Sequence, residues 1–232
     1  MDGTKLCMRR VALVLVAPVI LVALALPMAA RAALPPVVAR LQQVMDTAHS
    51  YRQTMVLTST GGPAGTSSTR MDLVAVRHGK ILEEYIRMTQ QQAKGATTTI
   101  EMVSGANHTC IKSSSAAPWN CRMGSMASLI GATNVLSSSL LKGVTITPLG
   151  SKDVLGQSCD GYQVVSRPGQ GTSSIGTMWI AQSSGRPVEE LGSSTTSIPV
   201  AAGKSLTTKS GFTVTWSQWN DPSLTIPSVP GA

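Results

Sequence analysis

Three histidines and two pairs of neighbouring glutamates are the side chains in this sequence best suited to acid–base or metal chemistry. The histidines are His49, His78 and His108, and their spacing matches neither a metal site nor a metalloprotease motif. The glutamate pairs are Glu83-Glu84 and Glu189-Glu190. Neighbouring residues of a strand point to opposite faces of a sheet, so the members of one pair cannot act together on one substrate. We expect these carboxylates at solvent-exposed strand edges.

Two other segments approach catalytic motifs and then depart from them. Gly156 to Gly161 is similar to a nucleophile elbow, but the second glycine follows Ser158 by three positions instead of two. Gly203-Lys204-Ser205 ends like a phosphate-binding loop, but Ile198 occupies the place of its first glycine and no helix is predicted after it. A β-turn is the better interpretation of the first segment. The sequence predicts no catalytic residue, metal site or cofactor, and hence not an enzyme.

Composition favours a single domain rich in strands, over residues 33–232. Hydrophobic residues make up 42% of the 232 residues and charged residues only 13%, and no Pro-rich or charged linker divides the chain. Abundant Ser, Thr and Gly suit strands and turns better than exposed helices. The formal net charge is +8, but the basic residues form no run. This scatter predicts no nucleic-acid binding and favours anionic lipid headgroups as an attractor.

The first 32 residues have the pattern of a secretory signal peptide. Basic residues between Lys5 and Arg10 precede the uncharged stretch Val11 to Ala30, and Ala30-Arg31-Ala32 supplies the small residues that signal peptidase requires. The alternative is an uncleaved anchor, because about 20 apolar residues can span a bilayer. Cleavage predicts a periplasmic or secreted protein, in a compartment that permits disulfides.

Three cysteines remain after the signal. Cys110 and Cys121 lie in two short β-like runs separated by a Ser-, Ala- and Pro-containing loop, so they can face each other across a hairpin. We expect a Cys110–Cys121 disulfide. Cys159 is then a buried thiol, or it takes one of the other two as its partner; the sequence leaves both open.

Hydrophobic periodicity predicts two helical segments and about ten strands. One amphipathic helix runs from Val37 to about Tyr51, and a second segment from Met126 to Leu141. Tight connections between successive strands predict an antiparallel meander. The chain after Trp219 is expected to be extended because of its prolines. Strands are predicted at Thr54–Thr60, Met71–Arg77, Ile81–Met88, Thr97–Val103, a hairpin partner of the last that ends at Lys112, Val144–Thr147, Tyr162–Val165, Ile175–Ala181, Pro187–Thr196 and Phe212–Trp219.

Two helices cannot cover one face of so large a sheet. A long antiparallel sheet curls, and the uncovered apolar part of its inner face then forms a cavity. Methionines within the strands suit such a wall because flexible thioethers adapt to ligands of variable shape, although an ordinary core is the competing interpretation. The predicted lining residues are Met71, Leu73, Ile86, Met88, Ile100, Met102, Met178, Ile180, Val214 and Trp216.

Loose patterns of glycine, aromatic residues and proline recur in five segments: Leu155 to Tyr162, Trp179-Ile180, Gly185-Arg186-Pro187-Val188, Trp219-Asn220-Asp221-Pro222 and Ile226-Pro227. The order of the elements resembles the LolA, LppX and RseB superfamily of envelope lipid and lipoprotein carriers. The resemblance implies an α+β, mostly β fold, in which a curved antiparallel sheet forms an incomplete barrel and helices cover its open side. No site residue is carried over from the family.

The resemblance also implies two functions, both of them binding functions. In the first, the protein is an extracytoplasmic carrier that shelters lipid or lipoprotein acyl chains in the apolar half-barrel, with a membrane protein as donor or acceptor. In the second, it is an RseB-like envelope sensor that acts through a membrane protein partner. Neither function needs covalent chemistry.

Overall fold

The computed structural model describes most of the chain after the predicted signal peptide. The predicted signal peptide (1–32) and second helical segment lie outside the described residues. Those residues are 36–62, 65–93, 95–114, 116–123, 144–169, 172–200 and 204–229.

One helix and eleven strands make up the described fold. The helix α1 is Pro36–Thr47. The strands are β1 Ser50–Gly62, β2 Gly65–His78, β3 Ile81–Gln92, β4 Thr97–Ser104, β5 His108–Lys112, β6 Asn120–Met123, β7 Val144–Val154, β8 Gln157–Gly169, β9 Thr172–Ala181, β10 Pro187–Val200 and β11 Lys204–Ser217.

All eleven strands form one antiparallel sheet in the order β6-β5-β4-β3-β2-β1-β11-β10-β9-β8-β7. Two meanders, β1 to β6 and β7 to β11, extend in opposite directions and meet where β1 pairs with β11. In the described part of the chain, β6 and β7 are edge strands that do not pair with each other, so the sheet is not closed. This confirms the predicted fold class, a mostly β protein whose antiparallel sheet is consistent with an incomplete barrel.

The segment that approaches a nucleophile elbow is a hairpin. Leu155 and Gly156 have φ angles of 48° and 78° and connect β7 to β8. Two consecutive positive φ values are those of a type I′ turn, in which glycine is the favoured second residue. Of the segment Gly156 to Gly161, only Gly156 belongs to this turn; Ser158 and its neighbours from Gln157 onwards are the start of β8, so the predicted β-turn is confirmed only at the first residue of the segment.

Helix α1 ends at Thr47, four residues before the predicted end at Tyr51. Tyr51 belongs to β1, and its ring stacks on Trp219 with the ring centroids 5.2 Å apart. The backbone N–H of His49 donates to Asn220 Oδ1 at 2.8 Å. Asn220 itself has a φ of 56°, so the chain after β11 turns here and the prediction of an extended segment is wrong at this point. These contacts with the C-terminal segment override the helical periodicity.

Strand alternation gives the sheet two faces, which we call the helix-covered face, against which α1 packs, and the opposite face. The helix-covered face includes Leu73, Ile86 and Met178, against which α1 packs Leu41 and Met45. These contacts bury the apolar stripe of an amphipathic helix, as its periodicity predicts.

The opposite face has a smaller cluster around Trp179, together with Val154, Cys159, Ala181 and Val188. A Cβ on Gly161 would come within 2.6 Å of the Trp179 ring, so only glycine fits beneath this indole. Cys159 is a free, buried thiol, and burial raises its pKa. This decides between the two alternatives for Cys159.

The predicted disulfide Cys110–Cys121 is present and joins a directly opposed pair on β5 and β6. Replacing both cysteines with alanine is expected to lower the free energy of unfolding by up to roughly 3 kcal/mol, because the bond closes a short loop in the unfolded chain. Urea unfolding with and without dithiothreitol measures this. The double variant should be insensitive to the reductant, and Cys159→Ala should keep the sensitivity of the wild type. A wild type whose midpoint ignores the reductant would contradict the prediction.

Candidate functional site

The ten predicted lining residues share one face of the sheet. The register pairs Met71 with Met88 and Met88 with Ile100, which places these three on the helix-covered face. The same alternation places the other seven there: Leu73, Ile86, Met102, Met178, Ile180, Val214 and Trp216.

Burial divides these ten residues into two groups. Six are buried and belong to the core: Met71, Leu73, Ile86, Met178, Ile180 and Val214. The other four, Met88, Ile100, Met102 and Trp216, are half-buried. Helix α1 and the residues around it therefore already occupy part of the predicted wall. The candidate site is the part where the apolar side chains are only half-covered.

Five apolar side chains run across neighbouring strands in one line, which we call the apolar row. The row follows from direct cross-strand pairing of each member with the next. It spans four strand spacings of about 4.8 Å, or roughly 19 Å in all. Its members, from β4 to β11, are Ile100, Met88, Met71, Met55 and Val214.

The apolar row has a polar border on one side. Leu57 and Phe212, also half-buried, form the next pair along β1 and β11. One pair further along, the hydroxyls of Ser59 and Ser210 lie 2.8 Å apart and hydrogen-bond to each other. Along the strand direction, the apolar surface is thus bounded by α1 on one side of the row and by the two serines on the other side.

Two glutamates interrupt the helix-covered face, and this corrects the sequence-based prediction. Glu84 is 5% exposed and Glu190 is 3% exposed, so neither lies at a solvated strand edge. Burial raises the pKa of each carboxyl to about 7. The alternation within each pair was predicted correctly, since Glu83 and Glu189 face the other way. The prediction of solvent-exposed strand edges was wrong because β3 and β10 are interior strands of the sheet.

The sequence contained a signal for one of these glutamates. Glu84 stands between Leu82 and Ile86 in strand alternation, at a position where an apolar residue is expected. Glu190 has no such signal, because Gly192 follows it in the alternation.

Three buried polar atoms of described residues have no hydrogen-bond partner: Ser104 Oγ, Glu190 Oε2 and Trp216 Nε1. Glu190 pairs directly with Val214, so its carboxyl lies at the β10 end of the apolar row. Trp216 is two residues further along β11. An unpaired buried donor or acceptor is destabilising by about 1–3 kcal/mol. These atoms are therefore candidates for contact with a bound molecule.

No group of three or more His, Cys, Asp or Glu side chains within the described ranges could hold a metal ion. In that same part of the chain, no helix is long and apolar enough to cross a membrane.

A groove of about 600 Å³ lies on the opposite face, where the sequence predicted none. Ile175 and Leu191, which contribute to it, are 48% and 41% exposed. Gly176 and Gly192 pair with each other along the groove, and by strand alternation their missing side chains belong to the helix-covered face, where a Cβ on Gly192 would come within 2.7 Å of the Phe212 ring. The groove is lined by Val56, Thr58, Gln163, Ile175, Gly176, Thr177, Leu191, Gly192, Ser193, Gly211, Phe212 and Thr213.

Comparison with known proteins gives matches among solved structures only. No family model and no curated protein matches the chain. MucB in complex with MucA(peri) matches over 83% of this chain with a TM-score of 0.41 and 16% identity. The MucA/MucB complex of Pseudomonas aeruginosa gives 0.40 and 15% over the same share. A LolA superfamily protein from Nitrosomonas europaea gives 0.32 and 8% over 82% of this chain and 93% of its own.

The chain spans 58% and 57% of the two MucB-containing structures.

Proposed function

We propose that this protein is an extracytoplasmic carrier that binds the acyl chain of a lipid or lipoprotein along the apolar row. The single observation that supports this most is the row itself, a continuous line of flexible and branched apolar side chains across five strands. Transfer of a hydrocarbon chain from water to such a surface is favourable by about 25 cal/mol per Å². The three methionines suit ligands of variable shape.

The row is also positioned for access. Ile100, Met88 and Met55 are half-buried, and a ligand can contact them without displacing the core beneath α1. The core clusters hold that part of the sheet in place. The proposed site is therefore largely preformed, as sites for small apolar ligands usually are.

Mass spectrometry of organic extracts from the purified mature protein tests the carrier directly. We expect a co-purifying lipid or acylated peptide, and after delipidation we expect the protein to bind a long-chain acyl ester again. A clean extract together with failure to bind the ester would contradict the proposal.

A second candidate is an envelope sensor that reports acyl ligands to a membrane protein partner. The observation that favours it is the groove on the opposite face, whose Val56, Ile175 and Leu191 are exposed apolar side chains available to a protein contact. If the sensor is correct, a membrane protein should be retained by the immobilised wild type and lost with Leu191→Asp. Retention of the same protein by both would argue against this second function.

A further inference from the structure

We propose that Glu190 and Trp216 form a hydrogen-bonding anchor for the carbonyl group of the bound acyl chain, whether that carbonyl belongs to an ester or to an amide. This inference rests on the proposed function. It adds the chemical group that the site selects and the end of the apolar row at which that group lies.

The position of Glu190 relates the anchor to the row. Glu190 pairs with Val214, the last member of the row, so the carboxyl follows the apolar side chains without a gap. Trp216 and Glu190 are diagonal neighbours on adjacent strands, a relation in which Cα atoms lie about 7–8 Å apart and long side chains still reach a common point. A ligand lying along the row therefore meets both groups at its β10 end.

The carboxyl of Glu190 and the indole of Trp216 each have a polar atom without a hydrogen-bond partner, and a carbonyl oxygen would supply that partner. Glu190 is 3% exposed, and Oε2 has no hydrogen-bond partner among the described residues. The indole Nε1 of Trp216 is also buried without a hydrogen-bond partner, and it can only donate. The protonated carboxyl of Glu190 also donates, and one carbonyl oxygen can accept from both because it has two lone pairs.

Two glycines lie beside the carboxyl, and the Phe212 ring packs against the place of their missing side chains. Gly176 and Gly192 pair directly next to Glu190 and carry no side chain on this face. Oε1 of Glu190 lies 3.5 Å from the position that a Cβ on Gly176 would take, so the carboxyl leans towards this gap. The phenyl ring of Phe212 occupies part of the gap and continues the apolar surface towards Leu57.

Glu84 provides a matched control. It is also a buried glutamate on the helix-covered face, but it pairs with Ala75 and Ser104, in a line that does not include the row. A ligand on the row does not reach it by the same path. Any effect of removing a buried carboxyl as such should therefore appear at both positions, and an effect on the anchor only at Glu190.

Binding of methyl palmitate, palmitamide and a hydrocarbon of equal length to the delipidated protein tests the anchor. Glu190→Leu and Trp216→Phe should each weaken the ester and the amide about tenfold, since each removes one hydrogen bond to the carbonyl. The hydrocarbon should bind all variants equally, and Glu84→Leu should bind all three ligands like the wild type. A preference for the ester indicates an O-linked acyl chain, and a preference for the amide an N-linked one.

A second readout does not depend on affinity. The infrared stretch of a ¹³C-labelled ester carbonyl should move to lower frequency on binding to the wild type. The same shift is expected with Glu190→Gln, because glutamine keeps a hydrogen-bond donor. In Glu190→Leu the shift should be smaller. Equal affinities and equal shifts in all variants would overturn the anchor while leaving the carrier standing, whereas failure of the wild type to bind any of the three ligands would overturn both.

Discussion

The free energy of unfolding is expected to fall by roughly 3 kcal/mol for each of the two buried glutamates as the pH rises from about 4.5 to about 7. Burial raises the pKa of Glu84 and of Glu190 from 4.5 to about 7. In the unfolded chain each carboxyl releases its proton near pH 4.5, whereas the folded protein keeps both protons until near pH 7. The folded state thus binds more protons in this window, so stability decreases with increasing pH.

Other shifted carboxyls act outside this window. The pKa of Asp72 is lowered, with the hydrogen bond from Arg70 as the main cause, and the pKa of Asp160 is lowered by hydrogen bonds from Gln182 and Ser151. Groups of this kind contribute stability above their unfolded pKa and lose it only in more acidic solution. The slope between pH 4.5 and 7 therefore belongs to the two buried glutamates.

Urea unfolding at pH 5 and pH 8 measures this slope. Glu84→Gln and Glu190→Gln should each remove about half of it, and the double variant should unfold at nearly the same urea concentration at both pH values. Stability of the wild type that is equal or higher at pH 8, or a double variant that keeps the slope, would contradict the assignment.

The second large effect concerns ligand affinity. Met88→Asp is expected to weaken binding of a long-chain acyl ester about 100-fold, because it places a carboxylate in the middle of the apolar row, where the hydrocarbon would have to desolvate it. Met88 is half-buried, so the variant should fold. Affinity is measured by displacement of a fluorescent acyl probe, with circular dichroism as the check on folding.

Ile175→Asp is the matched control for Met88→Asp. Ile175 is an exposed apolar residue in a strand of the same sheet, but it faces the groove on the opposite side. The control should bind the ester like the wild type. If Ile175→Asp weakened binding and Met88→Asp did not, the acyl chain would bind in the groove on the opposite face.

Local alternation predicted which residues of a single strand share a face. Alternation within β2, β3 and β4 identified Met71, Met88 and Ile100 as members of one face, and the register confirms it. Alternation is a property of a single strand, so it needs no knowledge of the partner strands. For the same reason the hairpin around Cys110 and Cys121 could be predicted from the short loop between them.

Properties that depend on distant pairing could not be predicted in this way. The pairing of β1 with β11 brings Met55 beside Val214, although they are far apart in the sequence. The groove on the opposite face is lined by residues of β1, β8, β9, β10 and β11, which only the complete strand order brings together. The burial of Glu190 follows from the interior position of β10, which only the complete strand order reveals.

Quenching of tryptophan fluorescence by a brominated long-chain ester distinguishes an acyl chain on the helix-covered face from one on the opposite face. Trp216 lies on the helix-covered face, and Trp179 lies on the opposite face, near the groove. We expect strong quenching in the wild type, retention of that quenching in Trp179→Phe and a large loss of it in Trp216→Phe. Quenching that persists in Trp216→Phe and disappears in Trp179→Phe would contradict binding of the acyl chain on the helix-covered face.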